Sequence, residues 1–443
     1  MLEGPLLPAI VSYAVPIIFT SVLQLLFNAA DLVVVGQFCG SVSVAAVGST
    51  SSLTNLLVNF FIGLSIGAGI TVAHGLGSRE DAVVQNTVHT AIPTALVSGV
   101  ALTVVGVCFS SNFLEMMGTP DNVLPLSTVY MQIYFCGSTF TMVYNFCAAI
   151  LRAAGDTKGP LAYLTIAGIV NVILNIFFVT QLDMNVAGVA LATTISQGIS
   201  AVLVTRALMK REDACRFSPK KMRFHPAQLS KILRLGLPAG IQSSLFSISN
   251  VLIQSSVNSF GDVCMSGSAA AGNIEGFVFA IQDSFQQTAV NFTGQNMGAH
   301  KFRRARRILW TCMGCVTVVG LVFGFSAWYF GEQLLSIYIT DSPTATAYGM
   351  VRLSLITLPY FLCGQMNVST GALRGMGASL TPMIISILGI CAFRVFWIYT
   401  FFQAIHTPEC LFVSYPISWA LTLIAQMIAY FLIRRKYPKE DCT

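Results

Sequence analysis

A single aspartate in a long apolar stretch is the first residue in the chain that could do chemistry. Residues 16 to 36 read PIIFTSVLQLLFNAADLVVVG, and Asp31 is their only acid. Ser21, Gln24, Asn28 and Asp31 follow a 3-4-3 spacing, which on a helix makes one polar stripe. A carboxylate at the middle of such a helix costs roughly 2.5–3.5 kcal/mol on insertion scales, so it must face protein or water and marks a functional site by default.

Other stripes repeat the pattern. Ser52, Asn55 and Asn59 share a face, as do Gly168, Asn171 and Asn175, and as do Thr193, Ser196, Gln197 and Ser200. If these faces converge, they enclose one carboxylate among many amide and hydroxyl oxygens. Such a set suits a proton or Na⁺, because oxygen ligands favour hard cations and burial favours the uncharged carboxyl group. Farther on, Ser243, Ser247, Asn250 and Gln254 form a stripe without an acid, while Glu275 and Asp283 lie on one helix face. Beside Phe277, Phe279 and Phe285, these two acids could attract a lipophilic organic cation. Alternatively they pair with Arg352 or Arg394, the two basic residues inside apolar spans. His74 and His89 are expected to pack or cap. Cys312 and Cys315 lie mid-span without other ligands and read as packing residues, so no metal site is expected. There is no phosphate-binding loop, HExxH or GxSxG, and no ATP-driven or hydrolytic chemistry is expected.

The elements that carry these residues must be membrane helices. Only 9% of the 443 residues are charged and 55% are hydrophobic, against about a quarter charged in soluble domains. Lipid must be the solvent. The apolar runs do not alternate as barrel strands would, so helices satisfy the backbone. Twelve spans are expected, near 8–35, 44–74, 83–110, 122–150, 160–181, 186–209, 228–257, 266–296, 306–330, 344–371, 380–403 and 409–433. The first is a retained span, too long for a cleaved signal. The charged segment 210–227 reads as a linker between an N-terminal lobe, 1–209, and a C-terminal lobe, 228–443.

With both termini placed in the cytoplasm, every lysine and arginine except Arg352 and Arg394 falls on the cytoplasmic side. The outer loops then hold only acids, among them Glu115, Asp183, Glu332, Asp341 and Glu409, as the positive-inside rule requires. The net charge of +6 is therefore a topology signal, and no nucleic acid is expected as a partner.

The two lobes repeat each other. Pro16 falls on Pro238, Asn28 on Asn250, and Leu151-Arg152-Ala153-Ala154-Gly155 on Leu373-Arg374-Gly375-Met376-Gly377, all at an offset of 222 residues. Position 253, opposite Asp31, is Ile. Six spans per lobe make a parallel repeat, an arrangement common among secondary transporters.

Several segments carry a family resemblance. LQLLFNAADLVVVGQFCG, AAVGSTSSLTNLLVNFFIGLSIGA and LRAAGDTKGP in the first lobe, with GNIEGF, TGQNMGA and LRGMGASLTP in the second, resemble the multidrug and toxic compound extrusion (MATE) family. The resemblance covers nearly the whole chain. It implies an all-α membrane protein with twelve transmembrane helices in two pseudo-symmetric six-helix lobes around a central cleft. Such proteins expel hydrophobic, often cationic compounds in exchange for H⁺ or Na⁺, need no cofactor, and sit in the cell (inner) membrane. A monomer is expected. The resemblance assigns cation coupling to Asp31, Asn171 and Thr193, and helix bending to Pro16. Asn175 falls where many members have Asp, leaving a lone acid. Gln24, Asn28, Asn55, Asn59, Gln197, Asn250, Glu275 and Asp283 are the expected substrate-cavity residues. The competing readings are a flippase for a lipid-linked precursor, which would need a strongly cationic cavity, and an intramembrane enzyme.

Overall fold

The structure, a computed structural model, describes residues 1–339 and 342–438, so Asp341 lies outside it. The described residues contain helices and no strand. They pack as two compact units. One, the N-unit, is Phe19–Ser244; the other, the C-unit, is Met1–Ile18 with Leu245–Thr443.

These units are not the sequence halves 1–209 and 228–443. The chain's start sides with the second half, and the stretch before Leu245 sides with the first. Packing explains both exchanges. On α1 (Leu6–Phe38), Ile10, Ala14 and Ile17 are buried in a core with Phe285, Ala289 and Phe302, and the Tyr13 ring meets Phe292 edge-on at 5.2 Å. On α8 (Pro226–Asn258), Gly236 and Gly240 press against Gly63 and Gly67 of α2 (Ser41–Ser78). Both are Gly-xxx-Gly pairs, which let helix backbones touch where lipid offers no hydrophobic drive. A Cβ on Gly67 would fall on the Ile232 carbonyl oxygen, and one on Gly63 would fall on the Gly240 backbone. Neither neighbour can move as a side chain could. We therefore expect Gly67→Val to destabilise the protein by roughly 1–3 kcal/mol or more through overpacking. An unchanged thermal unfolding midpoint in detergent would contradict this packing.

The N-unit continues with α3 (Asp81–Met116), the bent pair α4 (Leu124–Cys136) and α5 (Ser138–Ala153), α6 (Lys158–Thr180) and α7 (Asn185–Met209). Its core holds Leu102, Leu114, Phe135, Met142 and Phe146, all sealed from solvent. The α4–α5 pair turns by 44° at Gly137. A break at membrane depth frees carbonyls that lipid cannot satisfy. Two threonines take them: Thr103 Oγ1 donates to Phe135 O at 2.8 Å, and Thr194 Oγ1 to Ile133 O at 3.0 Å. The segment after α7 is tied down by His89, whose Nε2 accepts from Ser218 N at 3.2 Å while its Nδ1 reaches Gln85 O at 2.7 Å.

The C-unit adds α9 (Asp262–Gly298), α10 (Phe302–Tyr329), a short α11 (Gly331–Ser336), the bent pair α12 (Pro343–Thr357) and α13 (Tyr360–Gly375), and α14 (Leu380–Ser386). A π-helical turn, Ile387–Ala392, joins α14 to α15 (Phe393–Tyr399); α16 (Phe401–Ala404) and α17 (Pro408–Arg434) complete the chain. The α12–α13 bend, also 44°, sits at Leu358-Pro359, where proline cannot donate to the ladder. Gln426 of α17 knits three helices, donating to Thr370 Oγ1 and Ser386 Oγ at 2.9 Å each. Cys312 is sealed in the core of α10, as a packing residue should be.

Counting each bent pair once and α14–α16 as one rod gives twelve membrane-crossing rods. Eight helices, or ten spans with the bent pairs, are apolar enough by composition alone. The other two, α8 and α9, have 33 and 37 residues and are long enough to cross. Both carry polar stripes, with Glu275 and Asp283 on α9. α1 is helical without a break through Pro16.

Candidate functional site

Asp31 is buried within the N-unit with 8% of its surface exposed. Three residues from two other helices close a ring around it. Asn175 Nδ2 of α6 donates to Asp31 Oδ1 in a short hydrogen bond and also to Asn171 Oδ1 at 3.2 Å. Asn171 Nδ2 donates to Thr193 Oγ1 of α7 at 3.3 Å. Thr193 Oγ1 stands 3.4 Å from Asp31 Oδ2 and 3.0 Å from Val189 O. The four cation-coupling residues expected from the sequence are therefore one network. The i, i+4 spacing puts Asn171 and Asn175 on one face of α6, and the α6–α7 packing brings Thr193 to them.

The ring's donors define what it can hold. An ionised Asp31 receives one N–H and can receive one O–H. The Thr193 hydroxyl has a single hydrogen and two acceptors within reach, so its direction is free to change. Asn175 Oδ1 is sealed and has no partner among the described residues. A Na⁺ ion would want several oxygens at about 2.4 Å. Here the position facing Asp31 Oδ1 is occupied by an amide nitrogen, which repels a cation. The described residues contain no cluster of three or more acidic, histidine or cysteine side chains fit for a metal.

Tyr130 and Tyr134 of α4, one turn apart, stack at 6.3 Å; their i, i+4 spacing is visible in the sequence, while the break at Gly137 that aims α4 is not.

The expected cavity residues separate into two groups. Gln24, Asn28, Asn55 and Asn250 are exposed, and Asn59 and Gln197 are half-buried. Exposed amides on membrane helices need water rather than lipid. Glu275 behaves otherwise. Arg352 grips it through Nε–Oε1 at 2.9 Å and Nη2–Oε2 at 2.8 Å, while Nη1 donates to Ser268 Oγ at 2.6 Å. The guanidinium also sits 5.4 Å from the Phe412 ring. Of the two alternatives open for Glu275, the structure contains the ion pair.

Asp283 meets neither Arg352 nor Arg394. Gln287 Nε2 donates to its Oδ2 at 3.1 Å. With the Gln286 amide oriented to satisfy both neighbours, its nitrogen donates to Asp283 Oδ1 at 2.9 Å and its oxygen accepts from Arg374 Nη1 at 3.2 Å. Arg374, expected in a cytoplasmic loop, tail or adjoining helix end, lies in the last turn of α13 and is 4% exposed, because Gly371 and Gly375 let that helix sink against the α9 backbone. The interior acids Asp31, Glu275 and Asp283 equal in number the interior arginines Arg352, Arg374 and Arg394, with Asp283 and Arg352 half-buried.

A family model, MatE, matches residues 16–177 and 238–400, which are corresponding parts of the two repeats. "Probable multidrug resistance protein YoeA" of Bacillus subtilis is 29% identical over 426 residues, covering 93% of this chain and 90% of that protein. The "FAD transporter" of Shewanella oneidensis is 21% identical over 394 residues, covering 87% and 86%. A solved outward-facing conformation of a multidrug resistance MATE family transporter of the MOP superfamily overlays with a TM-score of 0.90 at 19% identity, covering 98% of this chain and 96% of that one. At that identity the likeness speaks to the fold.

Proposed function

Since the chain belongs to the MatE family of prokaryotic multidrug transporters, we propose that it is an efflux antiporter that exchanges hydrophobic substrates for protons at Asp31. The observation that supports protons over Na⁺ is the closed ring of Asp31, Asn175, Asn171 and Thr193. A proton on Asp31 Oδ2 would donate to Thr193 Oγ1. The Thr193 hydrogen would turn to Val189 O, which already lies 3.0 Å away. Both carboxylate oxygens of Asp31 and the Thr193 hydroxyl stay paired in both states, and only that hydroxyl rotates. A sodium ion would instead displace an N–H from Asp31.

A proton and a cationic substrate then compete for one carboxylate. Loading one lowers the affinity for the other, which is the thermodynamic requirement for exchange. Gln24, Asn28 and Asn55, exposed on the same unit, would give the approach polar contacts. Pro16, which lacks a ladder donor, is the place where α1 could bend during the cycle. The distribution of lysine and arginine supports cytoplasmic termini in the inner membrane, and a monomer suffices for the site described. The name of the Shewanella relative leaves the sign of the cargo's charge open within the family. Three interior acids against three interior arginines do not favour the strongly cationic cavity that a lipid-precursor flippase needs.

The test is a hydroxyl series. Thr193→Ser keeps the switchable hydroxyl and should keep proton-driven export. Thr193→Val removes it and should cut export about tenfold, the scale of one hydrogen bond to a charged group. Equal export by both variants in everted vesicles would remove Thr193 from the proton site.

A further inference from the structure

Arg394 is the one buried cation of the C-unit interior for which no carboxylate partner exists among the described residues. The unit's two interior acids are otherwise committed, Glu275 to Arg352 and Asp283 to Gln287 and to Gln286, which connects it to Arg374. Three interior arginines against two carboxylates leave one positive charge over, and it sits on Arg394.

The local geometry holds that charge in place. Arg394 is 4% exposed. Its guanidinium lies 3.9 Å from the centre of the Tyr415 ring, and its Nε donates to Ser418 Oγ at 3.2 Å. One face and one edge of the guanidinium are thus fixed. Nη1 and Nη2 have no hydrogen-bond partner among the described residues. Neither is among the unit's sealed polar atoms that lack a partner, such as Thr422 Oγ1, so both open on accessible space. A pair of parallel N–H donors with nothing opposite them is the half of a fork that a carboxylate or phosphate completes.

The backbone is also shaped here. The π-helical turn Ile387–Ala392 ends one residue before Phe393-Arg394. One extra residue per turn rotates everything after it by about 100° around the axis. Gly389 within the turn has no room for a Cβ, because Thr422 Oγ1 occupies that place. The turn therefore packs tightly on α17, the helix that also supplies Tyr415 and Ser418. Tyr360 and Trp419 stack edge-on at 5.1 Å beside Tyr415, giving an aromatic wall next to the charge.

We propose that Arg394 is an anion-receiving subsite of the C-unit, which takes the carboxylate or phosphate of an aromatic amphiphile. The proposal rests on the export reading and narrows its substrate class, from simple lipophilic cations to compounds that also carry an anionic group. An isolated buried arginine is unfavourable in an apolar interior, and a substrate anion would supply the partner that the chain withholds.

The test uses two dyes that differ in one charge: rhodamine B, with a free carboxylate, and its ethyl ester. Both keep the cationic ring system. Binding to the purified full chain in detergent is read by fluorescence polarisation. The wild type should bind rhodamine B about tenfold or more tightly than the ester, the scale of a charge-assisted bidentate contact. Arg394→Gln should erase that preference and leave the ester's affinity unchanged; Arg394→Lys, which keeps the charge without the fork, should retain part of it. Equal wild-type affinity for the two dyes overturns the proposal without needing any variant. So does an Arg394→Gln protein that loses both dyes equally, the sign of a merely structural arginine. Proton-driven export in vesicles is a separate readout, so failure of the coupling assignment and failure of the anion subsite are distinguishable.

Discussion

Asp31→Asn abolishes export driven by a pH gradient and leaves the protein folded: this is the largest functional effect expected from a single substitution. Asparagine has the shape of aspartic acid. Its oxygen can still accept from Asn175, and its nitrogen can donate to Thr193 Oγ1, as a protonated Asp31 would. The ring Asp31, Asn175, Asn171, Thr193 is thus preserved in its proton-loaded pattern. What disappears is the ability to release the proton. Removing a charge from a membrane helix relieves part of the roughly 2.5–3.5 kcal/mol that a central acid costs, so thermal stability should hold or rise. Affinity for cationic dyes should fall, because their competitor is permanently in place. Undiminished exchange by Asp31→Asn in everted vesicles would sink the coupling assignment.

The largest loss of stability is expected at Glu275 and Arg352. Glu275→Gln leaves Arg352, which is 12% exposed at its side chain, facing an amide in place of a bidentate carboxylate. Breaking a buried pair from one side costs about 3–5 kcal/mol, because the remaining charge is stranded. Replacing both members with apolar residues, as in Glu275→Leu with Arg352→Met, should recover most of that loss. The comparison separates a structural pair from a binding site. If Glu275→Gln left the unfolding midpoint unchanged while weakening cationic dye binding, Glu275 would return to the substrate cavity. Asp283→Asn should be milder, since Gln286 and Gln287 can reorient their amides toward an asparagine.

Much of the fold was legible because lipid forces long apolar runs to be helices. The start and end of α7, expected at 186 and 209, fall at Asn185 and Met209. The four residues of the Asp31 ring lay on three of the polar stripes, and the family resemblance singled them out from the stripes' other members. The breaks were harder. Pro359 was a readable signal for the α12–α13 bend, but Gly137 was one glycine among 36. Its break becomes meaningful only with Thr103 and Thr194 beside it, from distant segments. Nothing in the local sequence marked the π-helical turn at Ile387–Ala392, whose register is set by packing on α17. The burial of Arg374 was hidden for a related reason. The residue sits in the last turn of a helix, where basic residues usually reach water, yet small residues let that turn sink into α9. The exchange of helix starts between the two packing units was likewise hidden, because it depends on glycine faces that a linear repeat cannot show.

The coupling ion decides the central claim. Purified protein in proteoliposomes, loaded with a fluorescent cationic dye, can be challenged with a pH gradient in Na⁺-free buffer and with a Na⁺ gradient at equal pH. Proton coupling at Asp31 predicts dye movement under the pH gradient at its full rate and only background movement under the Na⁺ gradient. Full movement under the Na⁺ gradient, with none under the pH gradient, would contradict it.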